Sequence, residues 1–437
     1  VLLLTSEAAA WIIAAAMVAS ILLLLLGLSA ALGALNAARP SQRWWTIVLS
    51  WSAAWVVLEL SLHLIAFSVV AAAVLVALGA LGHTVGVVGL VLLAAADLAG
   101  LVWAAIAQRS RAALRDLLAD LDPEPDAPRF PRSQIVFPFL MMRRRGVRHE
   151  RGVVYARTGL RKLKLDVYLP TAPADGPRPA ILQVHGGAWV VGSRKEQGIP
   201  LLNHLAANGW VGFNVDYRMG PFHTWPAPVV DVKRAIAWVR EHAEEYGVDP
   251  DFIALTGGSA GGHLTALAAL TADDRSLQPG FEDADTSVQA AVPFYGVYDM
   301  LDDERIHLPL LHSWVLEPLV FKARREDVPE RFRDASPTFR VHAGAPPFLV
   351  IHGRADSLVP VADARRFVER LREASDAPVV YAELRGAQHA FDFVPSARTA
   401  PMVESIERFL HTIRRQATQT GEEYATTASP TRARTNT

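Results

Sequence analysis

Ser259 lies in the run Gly257-Gly258-Ser259-Ala260-Gly261-Gly262, between an apolar stretch, 252–256, and an alanine- and leucine-rich stretch, 263–270. The first reads as a short buried strand and the second as a helix, so the serine falls on the sharp strand-to-helix turn that a G-x-S-x-G nucleophile requires. Gly257 and Gly261 allow backbone to pass closely there, and a helix start aims N–H groups at developing negative charge. A serine hydroxyl is a weak nucleophile until a base takes its proton. Candidates for that base and its supporting acid follow two further predicted strands. The strand 347–352 leads into a loop containing Asp356, and the strand 379–384 into a loop containing His389. The chain order serine, aspartate, histidine matches one of the known arrangements of an acyl-transfer triad. His352, His263, Asp392 and Glu383 are rivals. His352 falls within a strand and reads as a support, His263 points along the helix, and neither acid sits in a loop after its own strand.

A fourth element, His185-Gly186-Gly187-Ala188-Trp189, follows the predicted strand 180–185. Glycines there let main-chain N–H groups turn inward, so Gly187 and Ala188, with Ala260 after the serine, are the expected oxyanion donors. His185, Gly186, Gly257 and Gly261 are expected to support these loops. The chemistry calls for no metal and no organic cofactor.

These residues need a frame. From 152 to 415 strand-like and helix-like segments alternate, which predicts an α/β fold: a mostly parallel central sheet flanked by helices, with ligands at the carboxyl ends of the strands. Other strands are predicted at 163–169, 211–216 and 290–294, and a helix at 229–246. The connections 272–289 and 298–346 are long. The second carries Leu308, Leu310, Leu311, Trp314, Val315, Leu316, Leu319, Val320 and Phe321, which would wall an acyl pocket or pack on the sheet.

With His185-Gly186-Gly187, Asp216-Tyr217-Arg218, the Gly257–Gly262 run, Asp356 and His389, the segment 152–415 resembles the hormone-sensitive-lipase-like carboxylesterases and lipases of the α/β-hydrolase fold. It departs from them at Ala188, where many members have a third glycine, and at Gly258, where an aspartate is common. The His-Gly-Gly-Ala-Trp form is also similar to prenylcysteine methylesterases and arylformamidases. The resemblance implies a serine carboxylesterase that forms an acyl-enzyme on Ser259 and cleaves apolar esters of short or medium acyl chain, lipid esters among the candidates. An acyltransferase or a methylesterase-like or arylformamidase-like hydrolase on the same triad is the alternative; a non-catalytic membrane scaffold is the reading outside enzymology.

The remainder of the chain is of another kind. Residues 1–108 carry only Glu7, Arg39, Arg43, Glu59 and Asp97 as charged side chains, while the chain as a whole is nearly neutral, with 43 basic and 44 acidic residues. That balance argues against a nucleic-acid partner. An apolar stretch of about 20 residues is long enough to cross a bilayer. Spans are expected at 8–35, from 44 toward 78, and at 85–107, with the middle one long enough to be two helices. A transmembrane helical domain, 1–108, of three or alternatively four spans follows. Three spans put Arg39 and Arg43 on the same side as Arg109, Arg111 and Arg115, which the positive-inside rule makes cytoplasmic, and the catalytic domain with them. Glu59 and His63 are four residues apart and are expected to pair with each other. A juxtamembrane linker, 109–151, contains the proline-rich spacer 121–131 and the apolar-then-basic run 137–145, suited either to a bilayer surface or to packing on the soluble domain. The polar segment 416–437 is expected to be a disordered tail. Cysteine is absent, which excludes disulfides and thiolate chemistry. Oligomeric state is not legible.

Overall fold

The structure, a computed structural model, describes residues 6–121 and 128–427. Eight strands form one sheet in the order β1-β2-β4-β3-β5-β6-β7-β8. They are β1 (Val147–Thr158), β2 (Arg161–Pro170), β3 (Arg178–Val184), β4 (Val211–Val215), β5 (Val248–Gly258), β6 (Ala290–Phe294), β7 (Phe348–Gly353) and β8 (Val379–Leu384). The first two pair antiparallel and β2 meets β4 antiparallel; from β4 onward the neighbours are parallel. The strands β3 to β7 are almost wholly buried, as short continuous apolar runs in a sheet covered on both faces should be. One face is covered by the helices Ala227–Glu241, Ala260–Leu270 and Val361–Ala374, the other by Ile199–Ala207 and Thr399–Thr427.

Several expectations are corrected. The strand β1 begins at Val147 and so crosses the boundary drawn at 152. The helix expected over 229–246 ends at Glu241, and a separate turn of helix, Ala243–Tyr246, follows. The last helix continues to Thr427, past the predicted start of the tail at 416, and 428–437 lie outside the described residues, as does 122–127 of the spacer.

The N-terminal region is helical: α1 (Ser6–Ala38), α2 (Ile47–Glu59), α3 (Ser61–Ala77) and α4 (Thr84–Leu117). Two of these, α1 and α4, are long and apolar enough to cross a membrane. The long middle stretch, for which one span or two helices were both open, is two helices bent by 83° between Glu59 and Ser61. Positions Gly79, Gly86 and Gly89 face Ala16, Ser20 and Leu23 in turn, so α1 and α4 run in the same direction. Small residues allow that close approach: a Cβ on Gly27 would lie 2.2 Å from the carbonyl oxygen of Gly89. An apolar cavity of about 800 Å³ lies between the four helices, with Asn36, Arg43 and Asp97 among its lining residues.

The helical region and the sheet share a core. Leu114, Leu118 and Phe130 are buried in the cluster that includes Phe409, Leu410 and Ile413 of the last helix, and Arg111 pairs with Glu404. The predicted Glu59–His63 pair does not form. Glu59 bonds instead to Arg398 at 3.0 Å, both side chains fully buried, and His63 Nε2 lies 3.1 Å from the Val136 carbonyl. A buried carboxylate is costly unless paired, and Arg398 is a permanent cation, whereas a histidine is mostly neutral at pH 7. In the run 137–145, Phe137, Phe139 and Leu140 are exposed, while the Arg144 amide and guanidinium bond to Asn203 and His204. The apolar part thus faces outward and the basic part is partly docked.

Candidate active site

Six loops meet at the carboxyl ends of the parallel strands. After β5, Ser259 adopts φ +57°, a left-handed conformation that costs an ordinary residue energy and recurs at functional sites. The turn closes because its neighbours lack side chains. A Cβ on Gly257 would lie 2.6 Å from the Gly261 carbonyl oxygen, and one on Gly261 would lie 2.1 Å from that of Val184. The Ser259 amide donates to Phe294 at 3.0 Å, and the Ser259 carbonyl accepts from His263 at 2.9 Å, anchoring the turn to β6 and to the helix it begins. Ser259 is half-buried, between buried Gly258 and Ala260.

After β3, Gly187, Ala188 and Trp189 all have positive φ, 119°, 51° and 59°. The Gly187 carbonyl accepts from Val190 and Val191, so the loop curls over itself. The amides of Gly187 and Ala188 bond to no acceptor among the described residues, and Ala260 is the first residue of its helix, where N–H groups have no intrahelical partner. The loop comes close to Ser259: a Cβ on Gly186 would lie 3.1 Å from the serine Cβ. The loop is held from behind. Tyr217 donates to the His185 carbonyl at 2.9 Å and its ring stacks on that of His185, and Gln197 accepts from the Gly186 amide at 2.6 Å. Asp216 pairs with Arg194, and Arg218 forms a two-bond pair with Asp231.

The acid and the histidine come together. His389 Nδ1 lies 2.7 Å from Asp356 Oδ2, and the other carboxylate oxygen accepts from the Leu358 and Val359 amides at 2.9 and 2.8 Å. Burial alone would raise the Asp356 pKa. The His389 imidazole and the bonds from His352 and His389 outweigh it and hold the carboxyl well below its usual range. His352, read as a support, sits 3.3 Å from the same carboxylate and donates to the Val359 carbonyl. Gln388 ties the two loops, its side-chain oxygen accepting from the amides of Ser357 and His389. No hydrogen bond joins His389 to Ser259 among the described residues. The link between them is Tyr295: its ring lies 4.5 Å from that of His389 and occupies the space that a Cβ on Gly258 would need.

The rivals take other places. Glu383 pairs with Arg365, Asp392 accepts from the Tyr295 hydroxyl, and His263 bridges Trp189 and the Ala335 carbonyl. Tyr295 and Asp392 are the neighbours of the site that sequence reasoning missed in this role. The signal that could have found Tyr295 is its position directly after a parallel strand. Among the described residues Asp302, His307 and His312 could hold a metal by spacing. They lie on the segment after β6, where the Asp302 carboxylate accepts from the Ile306 and His307 amides and His307 pairs with Asp363. In that segment the helix Leu311–Phe321 buries Leu316, Val320 and Phe321 in the main core, whereas Trp314 is exposed and stacks on Trp44 at 5.6 Å.

Over 318 residues the chain is 44% identical to esterase LipQ of Mycobacterium tuberculosis, a match covering 72% of this chain and 71% of LipQ. The chain belongs to the hormone-sensitive-lipase-like carboxylesterases. Residues 165–371 of this carboxylesterase match the family model described as BD-FAE. It is also 51% identical over 263 residues to the protein named probable carboxylic ester hydrolase LipM of the same organism, covering 60% of this chain and 61% of LipM. Among solved structures it is similar to the butyrate-bound esterase Est2 of Thermogutta terrifontis, with 30% identity and a TM-score of 0.51, covering 62% of this chain and 95% of that one.

Proposed function

We propose that this carboxylesterase is a membrane-anchored serine hydrolase of apolar short- to medium-chain esters, with Ser259 as the nucleophile. The observation that carries this reading is the Asp356–His389 bond at 2.7 Å, formed at the sheet end where Ser259 stands on its strained turn. His389 takes the serine proton as the hydroxyl attacks the ester carbonyl, and Asp356 fixes the tautomer with Nε2 free and supports the positive ring. The amides of Gly187, Ala188 and Ala260 bind the oxyanion; each such preorganised donor is worth about 10²–10³ in rate. His389 then protonates the leaving alcohol, and a water it deprotonates releases the acid from Ser259. No step calls on a metal or an organic cofactor.

Membrane anchoring is supported by the length and apolarity of α1 and α4. Because the two helices run in parallel, Arg39 and Arg43 share an end with Arg109, Arg111 and Arg115, which favours a cytoplasmic site. For the acyl chain, the butyrate held by the Thermogutta esterase and the exposed Val191 and Phe222 on the loops that follow β3 and β4 favour an uncharged ester.

A fluorophosphonate probe should label the full-length chain and leave Ser259→Ala unlabelled, and ester hydrolysis should fall about 10⁴–10⁶-fold in that variant. Labelling that survives the substitution sinks the nucleophile assignment. Across p-nitrophenyl esters, kcat/KM should favour acetate to octanoate over a charged succinyl ester. Equal rates would remove the apolar preference.

A further inference from the structure

The helical region touches the loop that carries His389, and its hydrogen bonds to residues 389–398 among the described residues come from one face of one helix. Trp51, Trp55 and Glu59 are spaced four apart on α2 and so share a face. The Trp51 indole N–H donates to the carbonyl of His389 at 3.0 Å, and that of Trp55 donates to the carbonyl of Ala390 at 2.8 Å. The Trp51 ring also meets the His389 imidazole edge-on, with centroids 6.5 Å apart, and Trp55 packs at the same separation on Phe393. One turn further on, Glu59 holds Arg398 and Ser396, and the Arg398 guanidinium donates to the carbonyls of Arg385 and Gly386. The carbonyls at 385, 386, 389 and 390 are thus held by α2, directly or through a cation that α2 fixes.

The loop needs such a hold. It follows the edge strand β8, which has a paired neighbour on one side only, and Ala390 is in the left-handed region at φ +62°. Gln388 fixes its front against the Asp356 loop. On the other side, Gly386 lies against Trp103 of α4, where a Cβ would come within 3.5 Å of the indole.

We propose that α2 is a positioning element of the esterase site: Trp51 and Trp55 set the backbone of residues 389–390, and through it the reach of His389 toward Ser259. The helical region then does more than anchor the enzyme, since the histidine's place depends on it. This inference rests on the assignment of Ser259 and His389 made above. A general base works only within hydrogen-bond reach of its proton, and a misplacement of about 1 Å can cost about 10²-fold in rate.

The test uses the full-length chain in detergent. Trp51→Phe and Trp55→Phe keep an aromatic ring while removing the indole N–H together with part of the ring's volume. Each should lower kcat and the rate of fluorophosphonate labelling about tenfold, and the pair about a hundredfold, with KM and Tm within error of wild type. Ser259→Ala, run alongside, separates the two claims: if it still labels, the nucleophile assignment fails. If it is silent while the tryptophan variants react at the wild-type rate, the positioning role is overturned. Should Tm fall, amide exchange decides. Faster exchange confined to residues 385–398 supports the hold by α2, and loosening spread over the whole sheet overturns it.

Discussion

The indole of Trp189, on the loop after β3, is held by a single protonation state of His263. The indole N–H of Trp189 points at its Nδ1 from 3.1 Å, so that nitrogen must accept, and the ring proton sits on Nε2, donated to the Ala335 carbonyl at 2.7 Å. A second proton would face the indole donor in a fully buried site. Burial lowers the pKa first and foremost, and despite the Ala335 bond, which acts the other way, it falls to about 4. An unfolded histidine titrates near ~6.5. Between these values the unfolded chain takes up a proton that the native state refuses. This contribution to stability is therefore complete above pH ~6.5 and lost as the pH falls toward about 4. Denaturant melts should show it as a loss of about 2 kcal/mol between pH 7 and pH 5. In His263→Gln that acid-side slope should shrink, and an unchanged slope would refute the assignment of the proton uptake to this ring.

At the scale of elements, the strands β3 to β8 were legible because each is a short apolar run closed by a turn signal, and β6 and β8 fall where the alternation and composition put them. The strand β1 was not. Its sequence is mostly polar, it is an edge strand, and two register shifts, after Glu150 and after Val154, break its period of two. The elbow was legible from its glycines, but the reason for Gly258 in place of the family's common aspartate was not. Tyr295, directly after the neighbouring strand β6, fills that space, and a Cβ at Gly258 would lie 2.6 Å from its hydroxyl oxygen. Gly258→Ala should therefore push the Tyr295 ring toward His389, costing about 1–3 kcal/mol of stability from overpacking and lowering kcat more than KM. Steady-state kinetics with thermal melts would check this; wild-type values in both would show that Tyr295 yields freely.

Across the whole molecule, the helical and catalytic regions are joined through a buried charge pair. The side chains of Glu59 and Arg398 are both fully buried, and Glu59 engages Ser396 and Arg398, which lie 337 and 339 residues further along the chain. Removing one partner leaves the other as an uncompensated buried charge, at a cost of about 3–5 kcal/mol. Glu59→Gln should lower Tm markedly, and Glu59→Gln combined with Arg398→Met should recover much of the loss, since an uncharged replacement of both partners avoids the stranded charge. A double variant no better than the single one would mean that Arg398 acts mainly through the Arg385 and Gly386 carbonyls.

By itself the sequence determined the α/β architecture, the segregation of apolar helices from the catalytic region, and the candidates Ser259, Asp356 and His389. Those features are local: strand period, glycine spacing at a turn, and residue type just after a strand are all written within a few positions of one another. Only the tertiary structure decided what packs against what. The partner of Glu59 is Arg398 and not His63, which lies on α3 beyond the 83° bend, and pairing across the chain brings a permanent cation to a buried carboxylate. The length of the middle apolar stretch allowed one helix or two, and only the structure fixed the break as an 83° turn between α2 and α3. That bend accompanies a docked α2 whose Trp51 and Trp55 meet the backbone of the His389 loop. Backbone carbonyls carry no residue identity, and contacts made to them leave no mark in the sequence.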